Sequence, residues 1–241
     1  RRIVDVTSDV NLCYSEHARR YILDSSVKPE YTFVVGSPMA EILNTYSESI
    51  NSSDVLNKLG LEKNKYILLS AHREENIDNE DNFMSLMNAV NQMAEKYNMP
   101  ILYSCHPRSK KYIEQRGFVF DQRIIQHIPL GFFDYNKLQQ CAFCVVSDSG
   151  TLPEEGAYFK FPAVSIRTST ERPEAMEEGV FVLGSISTEG VLQAVDLATD
   201  MYKNQDIPLK VDAYEDKNVS TKVVKIIQSY TGVVNKMVWR K

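Results

Sequence analysis

Short apolar runs alternate with longer amphipathic stretches along most of this chain, and few architectures accommodate that rhythm. The runs Tyr66-Ile67-Leu68-Leu69-Ser70, Ile101-Leu102-Tyr103-Ser104, Ala142 to Ser147 and Ala163-Val164-Ser165-Ile166 read as strands. Between them lie stretches with helical spacing, such as Phe83, Leu86, Met87, Val90 and Met93 within a helix expected from about Asn82 to Tyr97. Strands of this length alternating with helices predict βαβ units and a parallel sheet. Strands that are apolar on both faces predict helices covering both sides of that sheet. The fold class is therefore α/β with a doubly wound, Rossmann-like parallel sheet.

A first, shorter series precedes this one. Asn11 to Tyr14 reads as a strand, Ser15 as the N-cap of a helix to about Leu23, and Thr32 to Val35 as a second strand. A helix through Ile42 and Leu43 follows, and the Ser- and Asn-rich stretch Tyr46 to Ser53 reads as a linker. Beyond it come expected helices around Lys110–Glu114, Tyr135–Gln140, Leu152–Tyr158, Pro173–Glu178, Thr188–Lys203 and Thr221–Tyr230, with further strands at Arg123–Ile125 and Phe181–Leu183. Residues 1–50 thus read as the tail of one domain plus a linker, and 51–241 as a complete second domain. The chain lacks an initiator Met, which suggests that it starts inside a larger protein or was trimmed.

The net charge of −5 argues against nucleic acid as the main partner. No apolar run approaches the ~20 residues that span a bilayer. Four cysteines, Cys13, Cys105, Cys141 and Cys144, are too few for a disulfide scaffold at this size, so a reduced cytoplasmic setting is expected. The Cys141-Ala142-Phe143-Cys144 pair runs into the apolar Val145-Val146 and has no second pair to complete a zinc site. Two buried thiols are the simpler reading.

In open parallel sheets, ligands bind at the carboxyl ends of the strands. His72-Arg73-Glu74-Glu75-Asn76 follows the first strand of the long series; a His beside an Arg suits an anion, and a solvated charged loop is an equal alternative. Cys105-His106-Pro107-Arg108 follows the second, where His106 reads rather as a buttress of the first loop. Ser147-Asp148-Ser149-Gly150-Thr151-Leu152-Pro153-Glu154-Glu155 is the most informative stretch. Gly150 permits close approach of a ligand, the helix N-terminus is a phosphate seat, and a glutamate inside the helix can hold a ribose. The plain alternative is a Ser149 helix cap followed by two surface acids. Arg167 and Arg172 flank the mouth of a fourth helix that opens with Pro173.

Ala71 to Asn76, Asp148-Ser149-Gly150 with Glu154-Glu155, and Thr170-Glu171-Arg172-Pro173-Glu174 resemble, in order and spacing, the signatures of the non-hydrolysing UDP-N-acetylglucosamine 2-epimerase family. The resemblance runs along essentially the whole chain. It implies the two-domain fold of glycosyltransferase-B enzymes, with most of the N-terminal domain missing and residues 51–241 forming the UDP-binding domain. It implies UDP held by Ser149, Gly150 and Glu155, the last on the ribose, with Arg172 at the diphosphate and Tyr135 near the uracil. His72 is the implied catalytic residue beside the diphosphate and the reacting sugar. Arg73, Glu154, Arg167, His106 and Arg2 are further candidates, and Arg1 with Arg2 would follow a lost acidic stretch. No cofactor or metal is implied, and the partners are a UDP-sugar and, in the full-length protein, a second copy.

The implied reaction eliminates UDP to a 2-acetamidoglycal and adds it back with C2 inverted. Thr151 in place of a second glycine, Pro153, and the C-terminal Asn218 to Lys241 are similar to the branch acting on 6-deoxy sugars, UDP-2-acetamido-2,6-dideoxy-L-talose 2-epimerase, which serves capsule or O-antigen synthesis. The UDP-N-acetylglucosamine/UDP-N-acetylmannosamine reaction is the alternative. A glycosyltransferase of the same fold and a non-catalytic UDP-sugar-binding module are rival readings. Because the family's C2 carboxylates lie in the N-terminal domain, the chain alone is expected to bind UDP weakly and not to turn over.

Overall fold

The computed structural model describes residues 2–204 and 210–241. Arg1 lies outside the described residues. The chain divides into two units, Arg1–Thr45 with Lys210–Lys241, and Tyr46–Leu209.

The smaller unit begins with α1 (Arg2–Thr7), β1 (Asn11–Cys13), α2 (Glu16–Leu23), β2 (Thr32–Val34) and α3 (Met39–Thr45). Ser15 caps α2 by accepting the Ala18 N–H at 3.2 Å, as the sequence suggests. β1 and β2 pair in parallel, Leu12 opposite Phe33.

The larger unit runs α4 (Ser47–Asn51), α5 (Val55–Leu59), β3 (Ile67–Ser70), α6 (Glu74–Ile77), α7 (Glu80–Tyr97), β4 (Ile101–Ser104), α8 (Pro107–Gln115), β5 (Ile124–His127), α9 (Phe132–Cys141), β6 (Cys144–Ser147), α10 (Leu152–Phe159), β7 (Ala163–Ile166), α11 (Pro173–Glu177), β8 (Val182–Gly184) and α12 (Thr188–Lys203). The last helix, α13 (Val219–Met237), returns to the smaller unit.

The sheet order is β5-β4-β3-β6-β7-β8, and every pairing is parallel. Alternate strand residues face opposite sides. Ile67 and Leu69, Ile101 and Tyr103, Cys144 and Val146, Val164 and Ile166 enter one core with α7 and α12. Leu68, Leu102 and Val145 point the other way and are fully buried too. That double burial is why the strands are apolar without alternation. On the first side, Tyr97 donates to Asp196 at 2.7 Å and Lys96 pairs with the same carboxylate, pinning α7 to α12.

Two expectations change. The polar stretch at 46–53 is a helical turn rather than a linker: Ile50 is fully buried, Ser53 donates to Asp134 at 2.5 Å, and the Lys137 ammonium donates to the Asn51 carbonyl at 3.0 Å. One apolar side chain and two contacts to α9 outweigh the polar composition. Residues 210–241 fall with the first unit and not with the second. The reason is α13, whose Tyr230 ring packs edge-on at 4.8 Å from Phe33 and donates its hydroxyl to the Glu30 carbonyl at 3.1 Å. Lys222 of the same helix donates to Val35 at 3.3 Å and to Asp216 at 2.6 Å. Asp216 lies against Gly36, where a Cβ would come within 2.5 Å of its carboxylate and where φ is +90°, so only glycine suits the turn.

Cys141 and Cys144 are buried and free, as expected for packing thiols, and burial pushes the Cys144 thiol up. No helix among the described residues is long and apolar enough to cross a membrane.

Candidate active site

The chain leaves β3 outward to β4 and β5, then crosses back to β6, so the sheet reverses direction between β3 and β6. Such a switch point opens a crevice at the carboxyl ends of the strands. A band of hydroxyls marks that edge: Ser70 lies opposite Ser147, and Ser147 opposite Ser165.

Asp148, one residue past β6, organises the crevice. Its side chain has no exposed surface. Its Oδ2 accepts the backbone N–H of His72 at 2.9 Å, that of Arg73 at 2.8 Å, and the Asn76 amide at 3.1 Å. Its carbonyl accepts the Arg73 Nε–H at 2.8 Å. Its other oxygen, Oδ1, stands 3.2 Å from His72 Nδ1. Asn76 also donates to the Ile166 carbonyl at 3.0 Å, so the loops after β3, β6 and β7 are joined through two buried side chains. From behind, the Ala71 carbonyl accepts from the Tyr103 and Ser109 hydroxyls, each at 3.1 Å.

The loop after β6 turns tightly into α10. Ser149 N–H donates to Ser147 Oγ at 3.0 Å, and Ser149 Oγ accepts the Thr151 N–H at 3.3 Å. A Cβ at Gly150 would meet only Arg73 Nη2, at 3.8 Å, and its backbone is unstrained, so nothing in the chain itself demands glycine there. Glu154 and Glu155, in the first turn of α10, are both buried. Glu154 pairs with Arg172 at 3.3 Å. Glu155 accepts from Gln139 of α9 at 2.6 Å.

One turn before Gln139, Tyr135 sets its hydroxyl by Ser70 and Ser147. Burial, then the nearby Glu155 charge, pushes its phenol up. Arg167, itself buried, forms a two-pronged pair with Glu171 at 2.8 Å on each arm. The Arg167 hydrogen bonds hold the Glu171 carboxyl down at about 2, with Arg73 adding to the effect.

The structure thus brings His72, Arg73, Tyr135, Ser149, Gly150, Glu154, Glu155, Arg167 and Arg172 to one end of one sheet. It treats His106 differently from the expectation. His106 caps its own helix, its Nδ1 accepting the Arg108 N–H at 3.2 Å, and does not buttress the first loop. Arg108 does that instead, reaching Glu74 at 2.9 Å and Asp78 at 2.6 Å. Arg2 opens α1 in the smaller unit. Asp148 and Asn76 stand inside the motifs quoted above but were given no role, and Gln139 was not singled out at all. Gln139 could have been, since it follows Tyr135 at helical i,i+4 spacing on the same face.

Burial raises the Glu155 carboxyl, with the Gln139 and Thr151 bonds acting against it. A raised folded-state value means the group's contribution is fully present below the unfolded value of 4.5 and is lost as pH rises through the folded value. Glu155→Gln keeps an acceptor for Gln139 and removes that loss. Its stability advantage over the parent is expected to open above pH ~4.5 and to grow by about 1.4 kcal/mol per pH unit until the folded value is passed. Urea unfolding across pH 4 to 8 checks this; an advantage that does not vary with pH would contradict it.

The family model for UDP-N-acetylglucosamine 2-epimerase matches residues 1–228. The UDP-N-acetylglucosamine 2-epimerase of Methanocaldococcus jannaschii is 27% identical over 219 residues, covering 86% of this chain and 59% of that protein. The structure of UDP-N-acetylglucosamine 2-epimerase from Rickettsia bellii superposes with a TM-score of 0.88 at 37% identity, over 100% of this chain and 65% of that one. The Methanocaldococcus jannaschii enzyme in complex with UDP-GlcNAc and UDP shares the fold, with a TM-score of 0.85 at 23% identity over 95% of this chain and 63% of that one. The chain spans about three fifths of the length of the curated relatives it matches.

Proposed function

Since this chain belongs to the UDP-N-acetylglucosamine 2-epimerase family, we propose that its larger unit holds the UDP of a UDP-linked 2-acetamido sugar during inversion at C2. The observation that carries the reading is the placing of Arg73 beside the open backbone at Gly150 and of Arg172 on Glu154 at the start of α10. A diphosphate set there meets two guanidinium groups and a helix N-terminus. In this reading Ser149 and Gly150 face the phosphates, Glu155 takes the ribose hydroxyls, Tyr135 lies by the base, and His72 stands at the bond between sugar and diphosphate.

The chemistry follows from what this unit offers. The C2 proton is not acidic, so its removal is coupled to rupture of the C1–oxygen bond: UDP leaves with the bonding pair and C1 and C2 become a double bond. Return of UDP to C1 and of a proton to the opposite face of C2 completes the inversion. Donors fixed in place for the departing diphosphate contribute on the order of 3 kcal/mol each to such a step. The carboxylates around the crevice are already engaged: Glu171 by Arg167, Glu154 by Arg172, Glu155 by Gln139 and Asp148 by the His72 loop. The unit therefore serves the leaving group, and the acid and base for C2 come from the segment by which the relatives are longer. On this reading the chain alone binds UDP without turning over.

The names borne by the relatives favour the UDP-N-acetylglucosamine/UDP-N-acetylmannosamine pair over the 6-deoxy-L-talose sugar that the Thr151 and Pro153 departures suggest. The test is incubation of the protein, with the segment found in its relatives, with each UDP-sugar in deuterated water, read by proton NMR. Deuterium at C2 together with appearance of the epimer is expected for UDP-N-acetylglucosamine. Exchange only with the 6-deoxy sugar would move the substrate assignment. UDP binding with no exchange in either would replace the epimerase reading with that of a transferase or a binding module.

A further inference from the structure

We propose that Asp148 is a positioning residue that fixes the tautomer of His72, holding the proton on Nδ1 and leaving Nε2 for the reacting sugar-diphosphate. The proposal deepens the function inferred above and rests on His72 lying at the bond that breaks.

The two oxygens of Asp148 do different work. Oδ2 is saturated by three donors, from His72, Arg73 and Asn76. Oδ1 is buried, makes no hydrogen bond among the described residues, and has His72 Nδ1 at 3.2 Å. A carboxylate that is ionised can only accept, so the group that completes Oδ1 must be a donor. The imidazole supplies one only in the tautomer protonated at Nδ1. The His72 side chain is 46% exposed, and Nδ1 is the ring nitrogen that lies near Oδ1.

The consequence for the reaction concerns one proton. In the reaction the ring first takes a second proton from solvent at Nε2; as UDP departs, Nε2 passes that proton to the phosphate oxygen that held C1, and the neutral ring keeps its other proton on Nδ1 beside Asp148. When UDP returns, that oxygen gives the proton back to Nε2 as the bond to C1 forms. No oxidant, reductant or further group takes part.

The Asp148→Asn variant separates this role from mere support of the loop. Three donors converge on the position of Oδ2, so the amide oxygen must sit there and the NH2 must take the place of Oδ1. That NH2 then donates to His72 Nδ1 and forces the proton to Nε2. The loop keeps its acceptor, and the tautomer is inverted.

The tautomer is read from long-range proton–nitrogen spectra of the 15N-labelled 241-residue chain, with His72 assigned by His72→Gln. The chain contains its own references. His127 Nδ1 lies 2.6 Å from the Ile128 carbonyl, which can only accept, so that ring is protonated at Nδ1. His106 Nδ1 accepts the Arg108 N–H, so that ring is protonated at Nε2. His72 is expected to match His127 in the parent chain and His106 in Asp148→Asn, with UDP affinity changed by less than about threefold. In the protein that turns over, kcat is expected to fall at least about 100-fold with KM nearly constant. A parent His72 that matches His106 overturns the proposal whether or not the variant folds, as does a variant that keeps the parent tautomer and kcat. Failure of the parent chain to bind UDP would sink the functional reading and leave the tautomer result standing.

Discussion

Asp148→Leu is expected to destabilise the larger unit by about 3–5 kcal/mol, although leucine shares the branched skeleton of aspartate. The substitution strips the shared acceptor from two backbone N–H groups and the Asn76 amide, all within about 3 Å of Oδ2 in the parent. Each buried donor left without a partner costs on the order of 1–3 kcal/mol, and water reaching the half-exposed His72 side recovers part of it. Burying leucine instead of a charge gives some of this back, which is why the lower half of the summed range is expected. For a unit of this size the loss lowers the melting temperature by roughly 10–15 °C. Thermal unfolding followed by circular dichroism measures it. A fall of less than about 1 kcal/mol would mean that the loops after β3 and β6 are held by something other than this carboxylate.

The second large effect falls on binding and leaves stability alone. Gly150→Ala adds a Cβ that meets nothing closer than Arg73 Nη2 at 3.8 Å, an ordinary contact. The free chain should lose no more than about 0.5 kcal/mol, the range for substitutions that disturb no packing or bonding. If the phosphates of UDP come against the backbone at residue 150, the same methyl stands in their way. A weakening of about 100-fold, or ~2.7 kcal/mol, is expected in calorimetric titration with UDP. Parent-like affinity in the variant would place the phosphates elsewhere and remove Gly150 from the site. Because the two measurements respond independently, the variant distinguishes a ligand-facing glycine from a structural one.

Much of the fold is legible in the sequence because parallel strands buried on both faces leave an unmistakable apolar signature. Ile67 to Leu69, Ile101 to Tyr103 and Cys144 to Val146 are all fully buried, and each was expected as a strand. The helix from Asn82 to Tyr97 begins at Glu80 instead, because the Asn79 side chain accepts the Asn82 N–H at 3.0 Å and draws the start back. The turn at 47–51 was illegible for the opposite reason: its single buried residue, Ile50, gives no periodicity to read. The strand-end positions of His72, Gly150 and Arg172 follow directly from the alternation of elements. The centrality of Asp148 does not. Its partners lie 72 to 76 residues away, and only the adjacency of β3 and β6 brings them together. His106 and Arg108 show the same limit, since both follow a strand, yet one caps a helix and the other braces a neighbouring loop.

The reversal of the sheet between β3 and β6 also orders events in time. β4 can pair with β3, and β5 with β4, as soon as each has been synthesised, whereas β3 must wait for β6 across all of the intervening chain. Loop closure over that span is entropically costly, so it comes late in folding. The carboxylate of Asp148 and the loop it fastens meet only at that closing step. A nascent chain released from the ribosome up to β5 carries His72 and Arg73 but no crevice, and so lacks the site proposed here for UDP. If the larger unit binds UDP as proposed, binding is confined to molecules whose central sheet is already joined, and UDP present during refolding should slow unfolding without hastening the early collapse.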